Sequence, residues 1–396
     1  MRYTIYLLAC IACISSLQAA KNTGIHSSPL NQAANGENTP ADTIGSFTFW
    51  SGSRNASYTS IPAAAYSASR LKQVTASGKA VKFSVGFSKK GYPVEAWYFP
   101  GSSEKKAMVI GGVHGSELSS IETAYTVISN LLAAEKPAYS VLVIPCLFPD
   151  NARQALQNPA TIGSTQNTGR YSKSSAPDPN RQLPAPGRAY NPQSNKDALG
   201  RTIEKENAIL LQLVNDFKPE RIASIHAIRD TSHAGIYADP RTDEQGIALG
   251  FEPDSTLAVT MAALAQACGA RVPGNNLENQ PTALYYRDPV PAKKGTRQSR
   301  NFKGSSLPSG RGQGVSLGTW AATAIKDPQR PEANRQAMVL VTVELPGYKR
   351  ATDYSSGTHK QFFSRQVQAY AHAITGVFLQ DSIATAVSAQ DVSARQ

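Results

Sequence analysis

Four short stretches of this chain, residues 107–113, 141–144, 222–225 and 338–343, are almost continuously apolar. A strand with one wet face alternates polar and apolar side chains, so runs of this kind need cover on both sides. That requirement leaves a largely parallel sheet sandwiched between helices. Segments of helical period lie between the runs: Ile121, Ala124, Tyr125, Ile128, Leu131 and Leu132, then Ile203, Leu210, Leu213, Val214 and Phe217. In both, apolar residues recur at the spacing of one helix face. Ser255 is expected to cap a third helix through Leu257, Met261, Leu264 and Cys268 that stops at Gly269, and Val367 to Phe378 marks a last one. Ahead of them, residues 83–87 and 94–99 read as a hairpin turning at Lys89-Lys90-Gly91-Tyr92. The expected fold is α/β: a single domain with a mixed, mostly parallel central sheet covered by helices on both faces.

The flanks read differently. Residues 1–20 have the pattern of a secretory signal: Arg2, an apolar stretch from Ile5 to Ile14, and small residues at Ala19-Ala20. Leu7-Leu8-Ala9-Cys10 faintly resembles a lipoprotein cleavage box, but the apolar segment before Cys10 is very short, so a periplasmic or secreted protein is expected ahead of a lipid-anchored one. Residues 21–45, rich in Asn, Ser, Thr, Gly and Pro, read as a flexible tether; residues 46–388 as the folded domain; residues 389–396 as a tail. The formal charge of +12 favours anionic partners, yet it is not gathered into the basic runs typical of nucleic-acid binding, so no nucleic-acid partner is expected. No internal segment approaches the ~18 apolar residues of a membrane span.

The chemistry concentrates at strand ends. Gly111-Gly112-Val113-His114-Gly115-Ser116-Glu117 follows one apolar run and precedes a helix, the position at which open α/β sheets bind ligands. His114 and Glu117, three residues apart on a turn, can face one metal ion, and the glycines permit the bend. His226 closes another run and can reach the same sheet edge. Two histidines and a carboxylate leave Zn²⁺ a fourth position for water, as catalytic zinc sites do. Read singly, His226 is more readily a core histidine bonded to backbone. Glu344 ends a third run, where an unpaired charge is costly. Its two readings are activation of a zinc-bound water and a structural ion pair with an arginine.

Taken together, GGVHGSE, DPNRQLP, SIHA, GVSLGTW and VTVELPG occur in the order found in zinc carboxypeptidases, and the chain from Val81 to Gly347 resembles the carboxypeptidase A-like superfamily. Gly314 to Trp320 ahead of ELPG, with the leader, is most similar to the bacterial murein peptide amidases, which cleave the D-glutamyl-diaminopimelate bond of cell-wall peptides. The resemblance implies one Zn²⁺ held by His114, Glu117 and His226, with Glu344 as general base and then acid. It implies that Asn180 and Arg181 hold the terminal carboxylate of a cell-wall-derived peptide, a task suited to the planar donor fork of arginine. An arginine upstream should stabilise the oxyanion. Arg170 is preferred, since Gly169-Arg170-Tyr171 precedes DPNR as in the amidases, while Arg153 after Pro149-Asp150-Asn151 is the alternative.

The chain departs from the family in two places. The usual Asn-Arg-Asn-Phe is Asn-Arg-Gln-Leu, and 118 residues separate His226 from Glu344, a long interval that holds Tyr285, Tyr286 and a basic, glycine-rich stretch with Lys293, Lys294, Arg297, Arg300, Lys303 and Arg311. Either tyrosine could replace the family's mobile active-site tyrosine, but spacing aligns neither and the role is assigned to neither. Three rivals stand beside the amidase reading: a general metallocarboxypeptidase; a deacylase of the succinylglutamate desuccinylase and aspartoacylase type, which would show a small β domain after Gly347; and an inactive wall-binding module.

Overall fold

A computed structural model describes residues 57–134, 136–277, 294–296 and 311–381, and the backbone of two strands ahead of them. Those strands, β1 (Asp42–Ile44) and β2 (Phe47–Trp50), pair antiparallel with each other. Three residues assigned to the tether are therefore strand, in keeping with the β-branched and aromatic side chains of Thr43, Ile44, Phe47 and Trp50. The leader, the tail, Tyr285, Tyr286 and most of the basic stretch lie outside the described residues.

In chain order follow β3 (Thr59–Ser60), α1 (Ala68–Ala76), β4 (Val81–Phe87), β5 (Pro93–Phe99), β6 (Lys106–Ile110), α2 (Leu118–Ala133), β7 (Ser140–Ile144), α3 (Pro149–Leu156), α4 (Lys205–Phe217), β8 (Arg221–Ile228), β9 (Gly235–Ala238), α5 (Glu252–Ala267), α6 (Leu317–Ala321), β10 (Val339–Pro346) and α7 (Gly357–Ala373). Eight strands form one sheet in the order β3-β4-β5-β7-β6-β8-β10-β9. β7, β6, β8 and β10 run parallel; the β4–β5 hairpin and the edge strand β9 join antiparallel. The expected α/β class and mixed, mostly parallel sheet are observed.

Alternate residues of the central strands feed two separate cores. Ala107, Val109, Val141, Val143, Ala223, Ile225, Val341 and Val343 pack with α2, α5 and α7. Met108, Ile110, Leu142, Ile144, Ile222 and Leu340 pack with α1, α4 and α6 on the opposite face. On this second face the apolar character fades along the strands: β8 reads Ile222, Ser224, His226, and β10 reads Leu340, Thr342, Glu344. The polar ends lie together because β8 and β10 run in parallel register, Glu344 beside His226.

Two details differ from expectation. α5 starts at Glu252, with Pro253 in its first turn and the acids Glu252 and Asp254 at its positive end, so Ser255 lies inside the helix and its hydroxyl bonds the Glu252 carbonyl. β9, too short to show a period, is paired through four residues to β10.

α2 carries one acid in an unfavourable place. Glu122 is partly buried, and burial pushes its carboxyl up to about 7, against a hydrogen bond from the Ala351 amide and the charge of Arg350. The folded protein thus holds a proton that the unfolded chain releases near pH 4.5, so this group lowers stability as pH rises from about 4.5 to 7. Glu122→Gln is expected to stabilise the protein by up to about 3 kcal/mol at pH 8 and by little at pH 4.5. Denaturant melts at the two pH values test this; an equal effect at both would contradict it.

Candidate metal centre

The turn that leaves β6 is built by glycine. Gly112 has φ +61°, and a Cβ there would stand 2.9 Å from the Cys146 Cα; at Gly115 it would stand 2.2 Å from the Ala152 nitrogen. Only bare backbone passes this close to the β7–α3 connection. The turn closes with the Glu117 amide donating to the His114 carbonyl at 3.0 Å, and Glu117 is the residue from which α2 starts. β8, the strand beside β6, delivers His226 at the same carboxyl edge, and β10 delivers Glu344 next to it.

These groups are sealed from solvent: His114 is 4% exposed, Glu117 2%, His226 4% and Glu344 6%. His114 Nδ1 lies 2.8 Å from Glu117 Oε1, and His226 Nδ1 lies 3.1 Å from Glu117 Oε2. One ligand atom from each residue falls within a cluster 4.8 Å across. Tetrahedral donors on zinc stand roughly 3.3 Å apart, given bonds of about 2.0–2.1 Å. The donor set therefore fits a divalent transition metal bound by two imidazoles and a carboxylate.

Asp178 orients this set. Its Oδ1 sits 2.8 Å from His114 Nε2, leaving Nδ1 turned towards Glu117. A carboxylate behind a ligand histidine fixes the tautomer and makes the ring a stronger donor. The same oxygen accepts the Asn180 amide at 2.8 Å, so the Pro179–Arg181 turn is clamped to the centre. Arg170 closes the arrangement, its Nη1 2.6 Å from Glu117 Oε1 and its Nη2 3.5 Å from Asp178 Oδ2.

Electrostatics follow from this packing. Burial alone would raise the Asp178 and Glu117 carboxyls, but His114, with Arg170 and Arg181 for Asp178 and with His226 for Glu117, holds both well below the usual range. Burial and Arg170 disfavour a proton on His114, yet Asp178 and Glu117 outweigh them and its pKa is raised. Burial dominates at His226, which is lowered and kept neutral, the form that ligates metals. Arg170 stays charged because Glu117 and Asp178 more than offset its burial.

The structure brings together His114, Glu117, His226, Arg170 and Asn180, with Glu344 in register beside His226. Asn180 accepts the Leu317 amide at 2.9 Å through Oδ1 and turns Nδ2 to within 3.5 Å of His226 Nε2. The GVSLGTW segment thus packs onto the Asn-Arg turn, and Gly314 passes so near the Arg181 carbonyl that a Cβ would stand 2.1 Å from it. Arg181 donates to the Asn180 carbonyl at 2.6 Å. Arg153 lies elsewhere, its guanidinium 4.0 Å over the Tyr92 ring in a small cleft with Glu95 and Cys146. His233, exposed, pairs with Asp230.

Two residues of the centre escaped sequence reasoning. Asp178 stands in the DPNR motif, where an acid two residues before Asn180 marks a turn cap, but its contact with His114 spans 64 positions. Tyr348 follows Glu344 by four residues. Burial and the nearby Glu117 push its phenol up to about 12, Arg170 and Arg229 oppose the shift, and Glu344 adds to it, so its hydroxyl shares the field of the centre.

No protein-family model matches the chain, and no curated protein does. Among solved structures it is similar to murein-tripeptide amidase MpaA from Escherichia coli O157, at 18% identity over 72% of this chain and 91% of that one, with a TM-score of 0.36. It is similar to a metallo-carboxypeptidase from Burkholderia cenocepacia, at 11% identity over 78% and 67% of the two chains, TM-score 0.39. It is also similar to bovine thrombin-activatable fibrinolysis inhibitor, at 13% identity over 78% and 94%, TM-score 0.38.

Proposed function

We propose that the chain is an exported zinc-dependent peptidase or amidase that hydrolyses an amide bond next to a free carboxylate, with murein-derived peptides, cut at the D-glutamyl-diaminopimelate bond, as substrates. The observation that carries this reading is the convergence of His114 Nδ1, His226 Nδ1 and the Glu117 carboxylate at a strand edge where Glu344 stands beside His226. The murein assignment is supported by the GVSLGTW segment, and export by residues 1–20.

His114, Glu117 and His226 would hold one Zn²⁺, which when bound supplies a Lewis acid for the scissile carbonyl and brings the ionisation of water near neutral pH. Glu344 takes the proton of the attacking water and returns it to the leaving amine. Arg170, the arginine held at the centre, donates to the oxygen on which charge develops. Asn180 and Arg181 hold the substrate's terminal carboxylate through paired donors. The deacylase alternative is less favoured, because among the described residues after Gly347 the chain leads into the helix α7 and shows no β domain. Among the described residues no helix is long and apolar enough to cross a membrane.

The test is to incubate zinc-loaded protein, with and without chelator, with a murein tripeptide and with an ordinary peptide, and to weigh the products. Chelator-sensitive release of diaminopimelate from the tripeptide alone is expected. Loss of a C-terminal residue from the ordinary peptide would instead indicate a general carboxypeptidase, and no chelator-sensitive cleavage of either would overturn the reading.

A further inference from the structure

β8 and β10 leave the sheet side by side, and each carries a distinctive side chain just past the centre. Arg229 follows His226 by three residues, and Tyr348 follows Glu344 by four. Their backbones are tied together: the Gly347 amide donates to the Ile228 carbonyl at 2.9 Å, while Ser119, two residues after Glu117, donates its amide to the Tyr348 carbonyl at 3.1 Å and its hydroxyl to the Gly347 carbonyl at 2.7 Å. The Arg229 guanidinium stands over the Tyr348 ring, 5.9 Å from its centre. Arg229 is exposed, and its neighbour Asp230 is taken by Ser232 and His233. Arg170, by contrast, is bound to two acids; Arg229 has no carboxylate within ion-pair distance among the described residues.

A guanidinium resting on an aromatic face keeps its edge donors free for a planar anion. At the centre the charges of Zn²⁺ and Arg170 are answered by Glu117, Asp178 and Glu344, and Arg181 is assigned to the terminal carboxylate, so a second carboxylate on the substrate calls for a further cation. We propose that Arg229, seated on Tyr348, binds a second carboxylate of the substrate, placed N-terminal to the scissile amide, so that the preferred substrates are peptides with two or more acidic groups. This rests on the peptidase reading, and it adds a recognition element distinct from Asn180 and Arg181.

The probe is a pair of murein tripeptides, alike except for D-glutamate or D-isoglutamine, its α-carboxamide, just before the scissile amide. Their kcat/KM ratio is measured on the zinc-loaded protein, and their Kd ratio by calorimetry on zinc-loaded Glu344→Gln. The glutamate peptide is expected to be favoured about 3- to 10-fold, through KM and Kd and not kcat, as befits an exposed charge pair. In Arg229→Ala the preference should fall to about one, Arg229→Lys should keep part of it, and 0.5 M salt should compress it. Thermal melts confirm that the variants fold. A preference unchanged by Arg229→Ala, or a wild-type preference for isoglutamine, overturns the proposal. If neither peptide is cleaved but the Kd ratio still responds to Arg229→Ala, the peptidase reading fails and the anion subsite stands.

Discussion

Glu344→Gln is expected to bind one equivalent of zinc as the parent does, and to hydrolyse its peptide about 10²- to 10⁴-fold more slowly. The amide keeps the size and polarity of the side chain beside His226 but can no longer accept a proton from water. Single-turnover assays with metal analysis on the same samples check this. Substantial retained turnover would remove Glu344 from the role of base; loss of the metal together with activity would make it a structural support of His226.

Asp178→Asn is expected to weaken metal binding by about 10- to 100-fold while leaving the fold intact. The variant keeps an oxygen for the Asn180 amide but gives up the charge that fixes the His114 ring and answers Arg170. Competition with a chromogenic chelator measures the change. Asp230→Asn, which alters an exposed acid paired with His233, serves as the control and should leave affinity as it is. Equal affinities in the parent and Asp178→Asn would mean that Asp178 caps its turn and does nothing for the metal.

Much of this was legible in the sequence because the physics is local. A strand buried on both faces must read as an apolar run, so the parallel core of the sheet and the helices covering it follow from composition along the chain. The same logic exposes His114, Glu117, His226 and Glu344, polar residues at the ends of runs that otherwise exclude them. What depends on chain segments meeting in space was not legible. Arg170 is preferred to Arg153 only by its distance from DPNR until folding sets one against Glu117 and the other over Tyr92. Asp178 looks like a turn residue until it is seen behind His114. Four residues of β9 carry too little pattern to announce an edge strand, and the start of α5 is set by Pro253 and its acidic neighbours, not by the serine inside the helix.

The lockstep of β8 and β10 has a genetic corollary. His226 and Glu344 face the same layer only because both strands keep the same phase of in-and-out alternation. Inserting or deleting one residue within either strand, ahead of its polar end, would invert one side chain relative to the other and bury a charged or ring nitrogen group among the aliphatics beneath α2, α5 and α7. Length polymorphism should therefore be tolerated in the loops joining these two strands and purged from the strands themselves, a pattern that a deletion-scanning library scored for soluble expression can reveal without any knowledge of substrate.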